Sequence, residues 1–379
     1  MAPAPAMLEE RPYEWDRRWW SPIINAEHLA LRTRAAMIDL TAFAQFEVAG
    51  PGALEYLEYM VVARIDRPVG RIMYTPLLAP NGGFRSDLTI VRQGDERFRI
   101  ITGGADGARD LAWFVAHLPA DGSVTLADIT SATCTIGLWG PRARSILATV
   151  TDDDVSNEGF AFGHAKEISI GTIPVLAVRI SYVGDLGWEL HAPMEQGRGL
   201  WDALEEAGAP YGLVPAGIGV YGSTGRLEKG YRLMGAELTM EYDPVEAGLA
   251  LPKVKAPDFI GRTAYEQARG HDPAATLCTL TVDDTRDHAG TPRYPQGGEP
   301  ILTPEGERIV DRKGRGSYVT AASSAPSVGK YVVMAYLPPE LAVEGTAVAV
   351  GYMGETYPAT VARAGRTPLF DPDDERMKG

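Results

Sequence analysis

The chain has only two cysteines in 379 residues, Cys134 and Cys278. Both stand in apolar, β-rich contexts (SATCTIGLW and TLCTLTV), which excludes a disulfide framework and predicts buried free thiols in a reducing, cytoplasmic compartment. Histidine is scarce too. The six histidines (28, 117, 164, 191, 271 and 288) never recur at a ligand spacing such as HxxxH, so a metal site is not expected. There is no run of roughly 18 apolar residues, so nothing is expected to span a membrane. The start, MAPAPAMLEERPYEW, has neither a basic head nor an apolar core; it does not read as a signal peptide, and Met1–Met7 is expected to be a frayed tail. Positive charge is in deficit. With 36 Lys and Arg against 50 Asp and Glu, the net charge of −14 argues against nucleic acid as partner, because phosphate binding relies on Lys and Arg. An anionic ligand would need positive charge concentrated locally.

What is present is a globular composition with 42 Gly and 28 Pro spread along the chain rather than gathered into a linker. The length suggests two or three domains. Through about residue 270, short strands alternate with amphipathic helices. FEVAGPGALEYLEYMV reads as strand, turn and helix, and LTIVRQGDERFRIIT as a hairpin turned at Gln93-Gly94-Asp95. ARDLAWFVAHL, GPRARSILATV and GRGLWDALEEAG read as helices. Beyond His271 the pattern becomes strands with Gly/Pro turns (ATLCTLTVDD, KYVVMAYLP, GTAVAVGYMGETYPATVAR), which predicts a C-terminal β-barrel or jelly roll over 272–379.

The most informative segment is Ile180–Leu190, ISYVGDLGWEL. It reads as a hairpin around a Gly-Asp-Leu-Gly turn, carrying the phenol Tyr182 and the carboxylate Glu189. Residues alone leave two readings: an ordinary surface hairpin, or a reader for a flat ring with an N–H donor edge, such as a pterin.

This hairpin resembles the GYTGEDGFEI hairpin of the glycine-cleavage T-protein (aminomethyltransferase) family. It is closer to the SYTGELGWEL form in the folate domains of dimethylglycine and sarcosine dehydrogenases. Further family-like segments follow in order: WWSPIINAEH (Trp19–His28), MIDLTAFAQFEVAGPGA (Met37–Ala53), MYTPLLAPNGGFRSDLTIVR (Met73–Arg92) and RLEKGYRLMGAELT (Arg226–Thr239). DPVEAGL, DFIGR, SVGKYVVMAYLP and PLFDP complete the series. The resemblance implies an α+β fold with two interleaved α/β domains over 1–271, a C-terminal β-barrel, and tetrahydrofolate in a central opening. It implies transfer of a one-carbon unit from a small-molecule donor.

The same resemblance assigns roles. Asp87, closing NGGFRSD, matches the carboxylate facing N10 of the folate; by pattern alone it could merely cap the Asn81-Gly82-Gly83 turn. A fixed anion there could accept the proton leaving nitrogen and stabilise developing positive charge. Tyr74 matches a tyrosine lining the folate site, and by pattern could be a core residue. Glu189 and Tyr182 carry over as the pterin-edge ligand and its aromatic neighbour. Arg226, Lys229 and Arg232 recur every three residues; on a helix they would share a face and could hold the glutamate tail, or Lys229 and Arg232 could form a solvated face.

Several positions depart from the T-protein pattern. Thr41-Ala42-Phe43 replaces Ser-His-Met, Gly103 or Gly104 replaces an Asn, and Val220-Tyr221-Gly222-Ser223 replaces GARD. A lipoyl-bound aminomethyl donor is therefore disfavoured. Tyr221 would suit an aryl methoxy or methylenedioxy donor, whose departing phenolate needs a proton; packing is its alternative role. With no oxidase domain attached in this sequence, the aryl class is preferred over an N-methyl amine, and a separate oxidase partner would reverse that preference. A folate-binding iron–sulfur assembly role is disfavoured, because APDFIGRTA stands where that branch has KGCYxGQE. GIGVYG (Gly217–Gly222) fits GxGxxG, but Pro215 sits where the preceding strand should end, so a dinucleotide site is not expected.

Overall fold

The computed structural model describes residues 21–379. The expected N-terminal tail and the Trp19-Trp20 pair lie outside them.

Two mixed or antiparallel sheets are woven together in the first two thirds of the chain. In the first, the strands run in space Leu213–Pro215, Ala35–Asp39, Thr133–Trp139, Gly187–Pro193, Ile173–Val178, Ala165–Ile170. Only the pairing of Ala35–Asp39 with Leu213–Pro215 is parallel. The second sheet, wholly antiparallel, runs Ile72–Leu78, Phe84–Gly94, Arg97–Thr102, Ala44–Ala49, Thr125–Asp128. All of its strands fall between the first two strands of the other sheet, which is the interleaving the sequence led one to expect.

Each sheet is covered on one face by helices whose apolar stripes supply the core. Ile146, Leu147, Leu200 and Leu204 pack on Ile136, Leu138 and Leu190 of the first sheet. Tyr56, Leu57, Met60 and Phe114 pack on Phe46, Leu88, Ile90 and Phe98 of the second. The opposite faces meet through Val91, Ile101, Leu176 and Val178. The central strand Thr133–Trp139 is buried at every position, as a strand covered on both faces must be.

The C-terminal sheet is six-stranded and antiparallel, beginning at Thr276. Its edge strands are joined: the amide of Ile301 donates to Ser317 O, and that of Val319 to Glu299 O. These bonds close the sheet into a barrel and remove its free edges.

Three local expectations need correction. The strands Ile173–Val178 and Gly187–Pro193 do pair, with Glu189 opposite Val178, but no tight turn joins them. Residues 179–186 form a loop pinned from outside, because Asp185 is paired with both Arg32 and Arg376. Gly184, at φ 77°, has its would-be Cβ 2.4 Å from Lys229 Cδ, so only glycine fits that approach. Second, RLEKGYR is not one helix. The helix stops at Glu228 and Gly230 turns left-handed at φ 62°, so Arg232 does not share a face with Arg226 and Lys229. Third, a short strand, Leu213–Pro215, does precede GIGVYG and ends on the proline itself. The glycines then enter a π-helical turn, Val220–Gly225, that carries Tyr221 into the core beside Val183 and Trp139.

A buried ionic cluster ties these parts together. Glu228 accepts from Arg32 Nη2 at 2.8 Å, lies 2.9 Å from His28 Nε2, and accepts from the Ser327 amide. Lys229 is bound by Asp371 and Asp374 near the C-terminus.

Candidate functional site

Asp87 and Tyr74 come from adjacent strands of the second sheet. Tyr74 is in register with Thr89 and Asp87 with Pro76, so the two form a diagonal cross-strand pair on one face. The Tyr74 hydroxyl donates to Asp87 Oδ2 at 2.9 Å. Tyr74 is 46% exposed, and its hydroxyl feels the charges of Asp87 and Arg232 and the phenol of Tyr182. Burial pushes the Asp87 carboxyl up to about 6; the Tyr74 bond opposes this, while Asp106 and Asp110 add to it. Asp87 is therefore poised to exchange a proton near neutrality.

Glu189 comes from the first sheet, on the strand Gly187–Pro193. It is buried, and Oε1 accepts from the Tyr221 hydroxyl at 3.3 Å. Oε2 lies 3.7 Å from His191 Nε2. A carboxylate can accept about four hydrogen bonds, so these two contacts leave capacity for a donor edge of a ligand.

An aromatic wall connects the two carboxylates. Tyr182 lies 4.9 Å from Tyr221 and stacks on Tyr231 at 5.7 Å, and its hydroxyl donates to Arg232 O at 2.5 Å. Phe43 meets Tyr221 edge-on at 5.8 Å. Burial raises the Tyr221 hydroxyl well above its ordinary pKa, and Glu189 and Asp87 add to that; Tyr182 is raised in the same way. Both phenols stay protonated. Asp87 is within electrostatic reach of both rings, which relates the Tyr74–Asp87 pair of the second sheet to the Tyr182–Tyr221–Glu189 group.

The three cations are placed differently from any solvated face. Arg226 is buried, donating to Glu237 Oε2 at 2.8 Å, Tyr231 O at 3.0 Å and Gly222 O at 2.8 Å. Its charge is already balanced, and its bonds fix the 222–237 segment behind Tyr182. Lys229 is buried against Asp371 and Asp374. Arg232 is buried on the carbonyls of Gly230, Ala247 and Gly365.

Sequence reasoning missed Phe43, Tyr231, Gln45, Thr135 and His191. His191 could have been found by period: it stands two residues after Glu189 on one strand, hence on the same face. Gln45 and Thr135 reach it only through sheet register, which no local pattern encodes.

The chain matches the GCVT N-terminal domain over residues 5–252 and the glycine cleavage T-protein C-terminal barrel domain over 277–371. It is 32% identical over 357 residues to the mitochondrial dimethylglycine dehydrogenase of Homo sapiens, covering 93% of this chain and 39% of that protein. It is 31% identical over 362 residues to the aminomethyltransferase of Geobacillus thermodenitrificans, covering 93% and 92%. The 4-methylaminobutanoate oxidase (formaldehyde-forming) of Paenarthrobacter nicotinovorans is 30% identical over 378 residues, with 99% of this chain and 43% of that protein covered. The chain thus spans well under half the length of these two oxidising relatives. Among solved structures, aminomethyltransferase T from Bartonella henselae shares the fold, with a TM-score of 0.77 at 24% identity over 89% of this chain and 88% of that one. With both domain matches in sequence order and the interleaved sheets and barrel in place, the chain belongs to the glycine cleavage T-protein family, whose aminomethyltransferases use tetrahydrofolate.

Proposed function

We propose that this protein is a tetrahydrofolate-dependent one-carbon transferase acting on an aryl methoxy or methylenedioxy donor. The observation that supports the reading is a pair of carboxylates on two different sheets, each bonded to a tyrosine hydroxyl: Asp87 to Tyr74 and Glu189 to Tyr221, with Asp87 in electrostatic reach of Tyr221. Tetrahydrofolate supplies the nucleophilic nitrogens that receive the carbon. Glu189 binds the N–H edge of the pterin, and Tyr182 lies against its ring. Asp87 takes the proton that leaves the attacking nitrogen and stabilises positive charge as the new C–N bond forms.

The aryl class is supported by the lining of Phe43, Tyr182 and Tyr221, which suits a flat apolar ring. Tyr221 holds a proton inside the opening. In this reading its hydroxyl exchanges the 3.3 Å bond to Glu189 for one to the departing phenolate oxygen. Atoms balance without an oxidant: a C–O bond breaks, a C–N bond forms, and the proton lost from nitrogen ends on the released phenol. A methylenedioxy group passes through this exchange twice and releases a catechol.

A second reading has an N-methyl amine donor, favoured by the names of the dimethylglycine and 4-methylaminobutanoate relatives. It needs an oxidase to convert the amine to an iminium, which Asp87 would stabilise. The test is incubation with tetrahydrofolate and a panel of methoxy- and methylenedioxy-arenes, dimethylglycine and sarcosine, following phenol or catechol release and folate products. Folate-dependent release from the arenes is expected. With a flavin-dependent amine oxidase added to the amine arms, turnover of the amines alone would establish the second reading, and no folate-dependent turnover in any arm would overturn both.

A further inference from the structure

Behind Glu189 runs a chain of buried polar groups that the one-carbon chemistry does not use. Arg99 and Gln45 belong to the second sheet, Thr135 and His191 to the first. Gln45, Thr135 and His191 are each at most 2% exposed. Thr135 stands directly opposite His191 in the pairing of their strands.

Donor inventory gives this chain a direction. Arg99 has only donors, so at 3.5 Å from Gln45 it must face the amide oxygen. The Gln45 nitrogen is then turned to Thr135 Oγ1, which accepts at 2.8 Å. The Thr135 hydroxyl proton is left for His191 Nδ1, 3.0 Å away. Nδ1 is therefore an acceptor. Burial lowers the imidazole pKa against the pull of Glu189, so the ring is neutral and its single proton sits on Nε2. That nitrogen is buried, has no hydrogen-bond partner, and lies 3.7 Å from Glu189 Oε2. The opposite tautomer would strand the Thr135 proton and aim a bare lone pair at a carboxylate.

We propose that His191 is a positioning residue: its Nε2–H, set by Arg99, Gln45 and Thr135, orients the Glu189 carboxylate to receive the pterin edge. This rests on the reading of Glu189 as the folate ligand. The relay crosses from one sheet to the other, so it also registers the Glu189 side of the opening against the sheet that carries Asp87. The 3.7 Å separation closes to a hydrogen bond when the ligand draws the carboxylate into line.

The test combines affinity with direct observation of the ring. Tetrahydrofolate is titrated into wild type, Glu189→Ala, His191→Leu, His191→Gln, Thr135→Val and the Glu189→Ala/His191→Leu double variant. His191→Leu should weaken binding about tenfold, and His191→Gln, whose amide nitrogen sits near Nε2, should recover most of it. The Leu substitution should add nothing in the Glu189→Ala background. Imidazole 15N shifts should show the Nε2–H tautomer in the wild type and its loss in Thr135→Val. If Glu189→Ala binds as well as wild type, the folate-ligand reading fails. If Glu189→Ala loses binding while His191→Leu, or Thr135→Val should Leu not fold, stays within twofold of wild type, the positioning role is overturned. An Nδ1–H signal overturns it regardless of affinity.

Discussion

Arg32 and Glu228, 196 positions apart, form a fully buried ion pair at 2.8 Å that fixes the N-terminal helix to the turn below Tyr221. The same carboxylate binds His28 and the amide of Ser327 from the barrel. Arg32 in turn holds Asp185 of the loop that carries Tyr182. The loop that carries Tyr182 and the turn below Tyr221 are thus held by one buried set of charges.

Breaking that cluster should unfold the protein before it damages the chemistry. Glu228→Ala leaves Arg32 short of a buried partner and should cost about 3–5 kcal/mol, read by urea denaturation. Burial alone would push the Glu228 carboxyl up, but His28 and Arg32 hold it down to about 2 against an ordinary value of 4.5. A depressed carboxyl stabilises fully above its unfolded pKa and loses that contribution as pH falls through the folded value. Wild type should therefore lose stability between about pH 4.5 and 2, and Glu228→Gln should show a flatter acid limb.

Removing the buried carboxylate that faces the ligand should be felt in affinity. Glu189→Ala or Glu189→Gln should weaken tetrahydrofolate binding by about 2–3 kcal/mol, a factor of roughly 30–150, in calorimetric titration. Affinity unchanged within twofold in a folded variant would remove Glu189 from the ligand site.

Asp87→Asn separates turnover from binding. Folate affinity should hold while turnover falls about 100-fold or more. Because Asp87 must be ionised to accept a proton and its carboxyl is raised to about 6, wild-type turnover should climb through that pH and level off above it. The raised value also means that the ionised group is paid for in stability at neutral pH, so Asp87→Asn should melt higher than wild type. An unchanged rate would leave Asp87 as a partner for Tyr74 only.

Tyr221→Phe asks which donor is used. On an aryl ether, loss of the phenol should slow release about 100-fold or more with little change in folate affinity. On an amine, whose nitrogen carries its own proton, the substitution should matter little. Full activity on an aryl donor would take Tyr221 out of the mechanism.

The sequence made the elements legible wherever period and turn chemistry were local. Helices such as Gly197–Gly208 and strands such as Gly187–Pro193 follow from their apolar patterns. The family resemblance singled out Tyr74, Asp87, Tyr182, Tyr221, Glu189 and Arg226, but no local pattern told which of them touch: Tyr74 bonds Asp87, Tyr221 bonds Glu189, and Arg226 is taken up by Glu237. What the sequence hid was set by distant partners. The 179–186 loop is pinned by Arg32 and Arg376, and the Arg226–Arg232 segment is bent at Gly230, with Arg226 buried against Glu237 and Lys229 against Asp371. Residues far apart in the chain decide both, and neither leaves a trace in a short window.

The return of the C-terminal segment, with Asp371 and Asp374 on Lys229 and Arg376 on Asp185 and the carbonyl of Arg32, has a consequence for biosynthesis. Arg376 follows Arg32 by 344 positions. At about 5–20 residues per second, the first helix waits roughly 17–70 s on the ribosome before its last bonds can form. Through that interval Lys229 has no carboxylate to meet, and the loop bearing Tyr182 lacks one of its two anchors. The nascent chain should therefore be protease-sensitive around residues 179–186 until residues 371–376 have left the ribosome, and the neighbourhood of Tyr182 should bind ligand only afterwards.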